Sequence, residues 1–238
     1  RRPPAAVGDP VLMKGERAIP GGYQSPGDLP QVIPVFPLDG ALLLPGGELP
    51  LRIFEPRYLN LVDDVMAGDR MIGMVQTRAG GERTRPNLAH VGCAGRITSF
   101  NETSDGTYLI TLTGVCRFEA GEELAVKTPY RQVRTGFAPF FGDLADEEVD
   151  PDEFDRKRFA VALKKYLNRR DLDIDWDTAE TAPLETLVTS LAMGLPFEPL
   201  EKQALLEAPT LVERVDALTT LMEIDALEDG DDAGHSMQ

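Results

Sequence analysis

The chain has 238 residues and is 42% apolar, enough for one sizeable domain or two smaller ones with a buried core. No apolar run approaches the roughly 18 residues a membrane helix needs, and no charged-then-apolar leader is evident, so the expectation is a cytoplasmic protein without a membrane span. The net charge of −16 falls on residues 143–238, with 9 basic and 25 acidic side chains against 15 and 15 in residues 1–142, which makes nucleic acid an unlikely main partner because phosphate binding needs a cationic face.

Residues 1–31 are rich in Pro and Gly, lack periodicity and read as an extended or disordered lead-in. The stretch IPVFPLDGALLLPGGELPLRIFEPRY, residues 33–58, is the most apolar of the chain, yet Pro34, Pro37, Pro45, Pro50 and Pro56 interrupt it. It reads as three short strands over 32–36, 41–44 and 49–54, with Pro37 and Pro45 at corners. Asp39-Gly40 and Gly46-Gly47 supply the turns. Short strands broken in this way suit a small, sharply bent barrel.

Pro56 fits the first turn of a helix, where Tyr58, Leu59, Val62 and Met66 recur at helical spacing and Gly68 can close it. Further strands are expected over 71–76, 91–100, 108–118, 124–127 and 130–137, with Asp105-Gly106 as a hairpin turn.

The character changes after Phe141. Residues 143–153 are an acidic linker or helix entry, and Phe159, Leu163, Tyr166 and Leu167 then mark an amphipathic helix running to Arg170. Residues 171–177 read as a polar connection that includes Trp176. Leu184, Leu187, Val188 and Leu191 mark a second helix, 199–206 a short third, and Leu211, Val215, Leu218 and Met222 a fourth. The expected organisation is a lead-in over 1–31, a β-barrel part over 32–142, a helical part over 143–226 and a disordered acidic tail over 227–238.

No phosphate loop, dinucleotide fingerprint, HExxH or GxSxG motif occurs. His90 precedes a strand and His235 lies in the tail, so neither is placed as a base. Asp171, Asp173, Asp175 and Asp177 alternate like the start of a calcium loop, but the central Gly and terminal Glu are missing, and a solvated connector is the simpler reading. Cys93 and Cys116 form no CxxC pair; they read as buried thiols, a single disulfide being the alternative. The expectation is therefore a chain without catalytic residues, cofactor or metal, working by surface recognition.

Two clusters are candidates for that surface. Arg52, Phe54, Glu55, Arg57 and Tyr58 surround the strand-to-helix junction, and Arg and Tyr give large contacts at low entropic cost. The competing reading pairs Glu55 with Arg57 or Arg52 merely to fix the junction. Phe140 and Phe141, with Phe137 close by, form the second cluster, either a docking patch or a plug between the β and α parts.

The order of several segments resembles the amino-terminal, substrate-binding domain of Lon-type ATP-dependent proteases. The segments are residues 33–64 from IPVFPLDG onward, MIGMVQ (71–76), VGCAGRI (91–97), DGTYLITLTGVCRF (105–118) and LPFEPLEKQALLEAPTLVERVDALTTLME (195–223). The resemblance covers roughly residues 32–225. It implies an α+β fold, a PUA-like β-barrel with one inserted helix followed by a C-terminal α-helical bundle. It also implies binding of unfolded or degron-bearing polypeptide, with a protease or chaperone as a further partner. The ATPase and Ser–Lys protease modules of Lon are not among these residues, and the family carries no catalytic residue in this domain. A PUA-like RNA- or nucleotide-binding module and a small-molecule-binding protein are the alternatives; a polar cavity inside the barrel would favour the latter.

Overall fold

The computed structural model describes residues 22–82, 85–145 and 154–227. The acidic tail beyond Leu227, residues 146–153 of the linker and residues 1–21 of the lead-in lie outside the described residues. The β-rich part holds β1 (Val32–Pro37), β2 (Glu48–Ile53), helix α1 (Pro56–Met66), β3 (Met71–Val75), β4 (Thr77–Glu82), β5 (Arg85–Leu88), β6 (Val91–Glu102), β7 (Tyr108–Glu123) and β8 (Arg131–Gly136). The helical part holds α2 (Arg156–Arg170), α3 (Trp176–Thr181), α4 (Leu184–Gly194), α5 (Pro199–Glu207) and α6 (Leu211–Leu227).

The main sheet runs β2-β7-β6-β3-β1-β8, and β8 pairs again with β7. β7, β6, β3, β1 and β8 thus form a closed circuit of pairings, with β2 added on the outside of β7. The β1–β3 ladder is parallel, Val35 facing Gly73, and the crossover it needs is supplied by the segment that carries β2 and α1. β7 spans 16 residues, and bulges at Ala94/Gly95 and Ile97/Ser99 of β6 bend the pair enough to close. β4 and β5 form a separate hairpin.

Period-two alternation sends side chains into two cores. Ile33, Val35, Met71, Val75, Ala94, Val115, Phe118 and Val133 come from all five strands of the circuit and fill its interior with apolar atoms. On the opposite faces, Ile72, Met74 and Leu112 join Tyr58 and Leu61 of α1 and Phe159, Tyr166, Val188, Leu205 and Leu218 of the helical part. The larger core therefore runs across residue 142, where the secondary structure changes from β to α.

Buried polar side chains fasten the same seam. Arg117 of β7 makes a bidentate pair with Asp143 and donates to the carbonyls of Leu206, Ala208 and Pro209 at the end of α5, capping that helix with a charge. Lys202 of α5 donates from Nζ to the carbonyls of Gly40 and Met193, and Gln76 donates to the Pro199 carbonyl and accepts from the Gly40 amide.

Several expectations need correction. Residues 41–44 are not a strand: Leu42, Leu43 and Leu44 are buried on all sides as the chain crosses β7 at Gly114, with one isolated bridge at Pro45. A Cβ at Gly114 would lie 2.0 Å from the Leu44 carbonyl oxygen, so only glycine fits that crossing. Residues 124–127 form a turn, in which the Val126 amide bonds back to the Leu124 carbonyl. α1 ends at Met66, and the left-handed residue that follows is Arg70 (φ 59°), not Gly68. Trp176 opens α3, capped by the Asp175 carboxylate accepting from the Thr178 amide. The lead-in is ordered where it is described: Leu29 is buried after a 3₁₀ turn at Pro26–Asp28.

Pro37 ends β1, as expected, whereas Pro45 closes no strand and makes a single bridge to Gly114. Pro50 lies in the outer strand β2, and Pro34 precedes the point where β1 meets β3 at Val35, so neither removes a donor from a two-sided ladder.

Candidate functional site

Leu49, Leu51 and Ile53 of β2 point inward and Glu48, Pro50 and Arg52 outward. In register, Arg52 faces Leu109 of β7, which faces Asn101 of β6, so these three share the outer face. Phe54, two residues beyond Arg52, is 48% exposed and Leu109 is 45% exposed. An aromatic and a leucine thus stand in solvent beside a strand paired on one side only among the described residues. Arg52 is held by Asp105 at 2.8 Å and by the Thr107 hydroxyl, not by Glu55. The Asp105 carboxyl is pulled down to about 2 chiefly by the hydroxyls of Thr103 and Thr107.

The chain then turns into α1. Pro56 occupies the first helical position, Glu55 pairs with Arg57 at 2.8 Å, and the Arg57 guanidinium lies 4.5 Å over the Tyr58 ring. Tyr58 is 7% exposed and meets Phe36 edge-on at 4.2 Å. α1 is tethered by two carboxylates on successive residues: Asp63 accepts from Tyr108 at 2.9 Å and Asp64 from Tyr130 at 2.6 Å. Burial first, then the Asp64 contact, pushes the Tyr130 phenol up to about 12.

Below this first turn lies a cleft of about 340 Å³ between α1, β1, the β4–β5 hairpin and residues 129–131. Arg131 is fixed at its rim, bidentate to Glu123 at 2.6 and 2.9 Å and donating to the Pro86 carbonyl. Thr77 donates amide and hydroxyl to Asp39.

Arg52 and Phe54 thus stand exposed at the end of β2, Glu55 and Arg57 pair at the start of α1 and Tyr58 packs inward on Phe36, while Phe140 and Phe141 lie elsewhere. Those two lie on a 3₁₀ turn, Ala138–Leu144, packed on β7 at the seam. Phe137 is buried against Phe118, and Phe140 sits under the Arg117 guanidinium at 4.8 Å, as a plug would. Phe141 alone of the three is open to solvent, 52% exposed.

Sequence reasoning missed Leu109, Thr77, Tyr130 and Arg131. Leu109 had a readable signal, an apolar residue out of phase with the inward series Ile110 and Leu112. The other three meet only through tertiary folding. The Asp171–Asp177 run is spent on helix ends: Asp171 is the left-handed cap of α2 (φ 52°) and Asp175 caps α3. Among the described residues no three His, Cys, Asp or Glu side chains converge as a metal site would require. His90 is exposed, with its ring nitrogen 2.7 Å from Arg78. Cys93 and Cys116 form no disulfide and are both buried on adjacent strands, facing different cores.

A mixed sheet closed on itself, one inserted helix and a C-terminal group of helices define an α+β protein. Residues 32–223 match the family model of the ATP-dependent protease La (LON) substrate-binding domain, and the chain belongs to that family. It is 26% identical over 215 residues to Lon protease 2 of Myxococcus xanthus, covering 85% of this chain and 25% of that protein. With the Lon protease of Roseiflexus castenholzii it shares 27% identity over 206 residues, again covering 25% of the relative. The chain therefore spans about a quarter of the length of these proteases. Among solved structures, a Lon N-terminal domain protein from Xanthomonas campestris superposes with a TM-score of 0.56 at 24% identity, covering 79% of this chain and 97% of that one. The N-terminal domain of the Mycobacterium avium complex Lon protease gives 0.57 at 16% identity, covering 81% and 98%.

Proposed function

We propose that this chain is a non-catalytic Lon-type substrate-binding domain that holds unfolded or degron-bearing polypeptide, acting in the cytoplasm as an adaptor or modulator of proteolysis alongside a protease or chaperone. We read the closed circuit of strands as a PUA-like barrel, with 32–142 and 143–226 as its barrel and helical subdomains. The observation that carries the reading is the free side of β2 flanked by exposed Phe54 and Leu109, because an extended segment can add to a strand edge while apolar side chains take up its alternate residues. The filled apolar interior of the circuit argues against a ligand inside it. The net charge of −16 disfavours a polyanion such as RNA.

The test is binding of a fluorescent, permanently unfolded protein, reduced and alkylated. The wild-type chain captures it, and Phe54→Ser combined with Leu109→Ser weakens capture about fivefold or more without moving the melting temperature. Equal capture by both proteins, or none by the wild type, rejects the reading.

A further inference from the structure

We propose that the cleft beneath the first turn of α1 is a carboxylate-binding subsite for an extended polypeptide, with Arg57 and Tyr58 as the groups that hold the carboxylate. The inference rests on the polypeptide-binding reading and assigns a chemistry to one part of that surface.

Tyr58 lines the cleft and is 93% buried by its 7% exposure, yet its hydroxyl has no hydrogen-bond partner among the described residues. The ring is buried but the hydroxyl is not sealed in, as that of Tyr166 is, so it opens onto the cleft as an uncommitted donor. The hydroxyls of Tyr108 and Tyr130, by contrast, both bond to aspartates of α1. Burial raises the Tyr58 phenol above its ordinary range, so at neutral pH it is a donor awaiting an acceptor.

The charge in the cleft has the matching sign. Its lining includes Arg57 and Arg131 and no carboxylate. The acidic groups near it are already engaged: Glu55 by Arg57, Glu123 by both Arg85 and Arg131, Asp64 by Tyr130 and Asp39 by Thr77. Arg131 is held by Glu123 and the Pro86 carbonyl, so it contributes field more than contacts. Arg57 gives only Nε and one Nη2 donor to Glu55, which leaves its Nη1 edge available. An acceptor between that edge and the Tyr58 hydroxyl would also meet the positive end of the eleven-residue α1. Val35, Pro37, Pro86 and Pro129 form the walls, apolar and poor in free donors, which suits the side chain next to a carboxylate rather than a free inorganic anion.

The carboxylate can be a chain terminus or an Asp or Glu side chain, and the test separates the two. Amide spectra of the full ¹⁵N-labelled chain are titrated at low salt with three N-acetylated pentapeptides of alternating valine and serine: one with a free C-terminus, one amidated, and one amidated with an internal glutamate. At least one carboxylate-bearing peptide is expected to move the amides of Arg57, Thr77 and Arg131 and to bind about tenfold more tightly than the neutral amide. Tyr58→Phe keeps the packed ring and should cut that advantage to about twofold or less. An advantage of the free terminus alone identifies chain ends, and of the glutamate peptide alone internal acidic residues; both support the subsite. Equal binding of the neutral amide, an advantage that survives in Tyr58→Phe, or no movement of those amides overturns it. If unfolded protein is still captured through Phe54 and Leu109 in that event, only the subsite falls and the polypeptide-binding reading stands.

Discussion

At the residue scale, most of the consequence is concentrated in a few buried polar atoms. Arg117 satisfies Asp143 and three carbonyls at once, so Arg117→Met should destabilise by about 3–5 kcal/mol, because it strips a buried carboxylate of its guanidinium and takes a charged donor from three helix-end carbonyls. Urea unfolding would read that loss, and Arg117→Lys should rescue little of it, since an ammonium lacks the planar fork. Tyr166 is the opposite case: its hydroxyl is buried without a partner, so Tyr166→Phe should be neutral or stabilise by up to about 1 kcal/mol. The tyrosines also set the alkaline behaviour. Tyr130 and Tyr166 are both raised from 10.0 to about 12, chiefly by burial. Their raised folded-state values give stability that is fully present below about pH 10 and is lost as pH climbs through 12. Thermal melts between those limits should show the decline, and Tyr130→Phe should flatten it. None of these atoms could be recognised as special in the sequence, because Arg117 sits in a strand-like apolar run and its acceptors are about 90 residues away.

At the scale of elements, strands and helices with a strong period were legible and those without one were not. β1, β2, β3, β6, α1, α2, α4, α5 and α6 follow from apolar spacing together with Pro and Gly punctuation. The β4–β5 hairpin was missed because Thr77–Glu82 and Arg85–Leu88 carry almost no apolar alternation and are held by register and ion pairs. Residues 41–44 misled because a run of leucines buried on every side has the composition of a core strand without its ladder. That crossing yields a prediction: Gly114→Ala should destabilise by at least about 1–3 kcal/mol, measured by chemical denaturation, since neither the Leu44 carbonyl nor β7 has room to retreat. The candidate surface was half legible. The IFEPRY junction announced itself by composition, whereas the cleft beside it needs Thr77, Pro86 and Pro129 from three later segments.

For the whole molecule, the change of composition near residue 142 suggested two units, but the larger core draws on both. Unfolding by urea should therefore be a single transition seen alike by the Trp176 signal of the helical part and by a probe on the sheet. Separate midpoints would mean that the seam around Arg117, Lys202 and Gln76 is weaker than its burial indicates.

The closed circuit of strands also has a consequence during synthesis. Ile33 of β1 pairs with Val133 of β8, roughly a hundred residues later in the chain. As the polypeptide leaves the ribosome, the first strand must wait with one flank bare until nearly the entire β-rich part has emerged. Until then the apolar side chains of β1 stand without the partners that bury them, and need shielding from other unfinished chains.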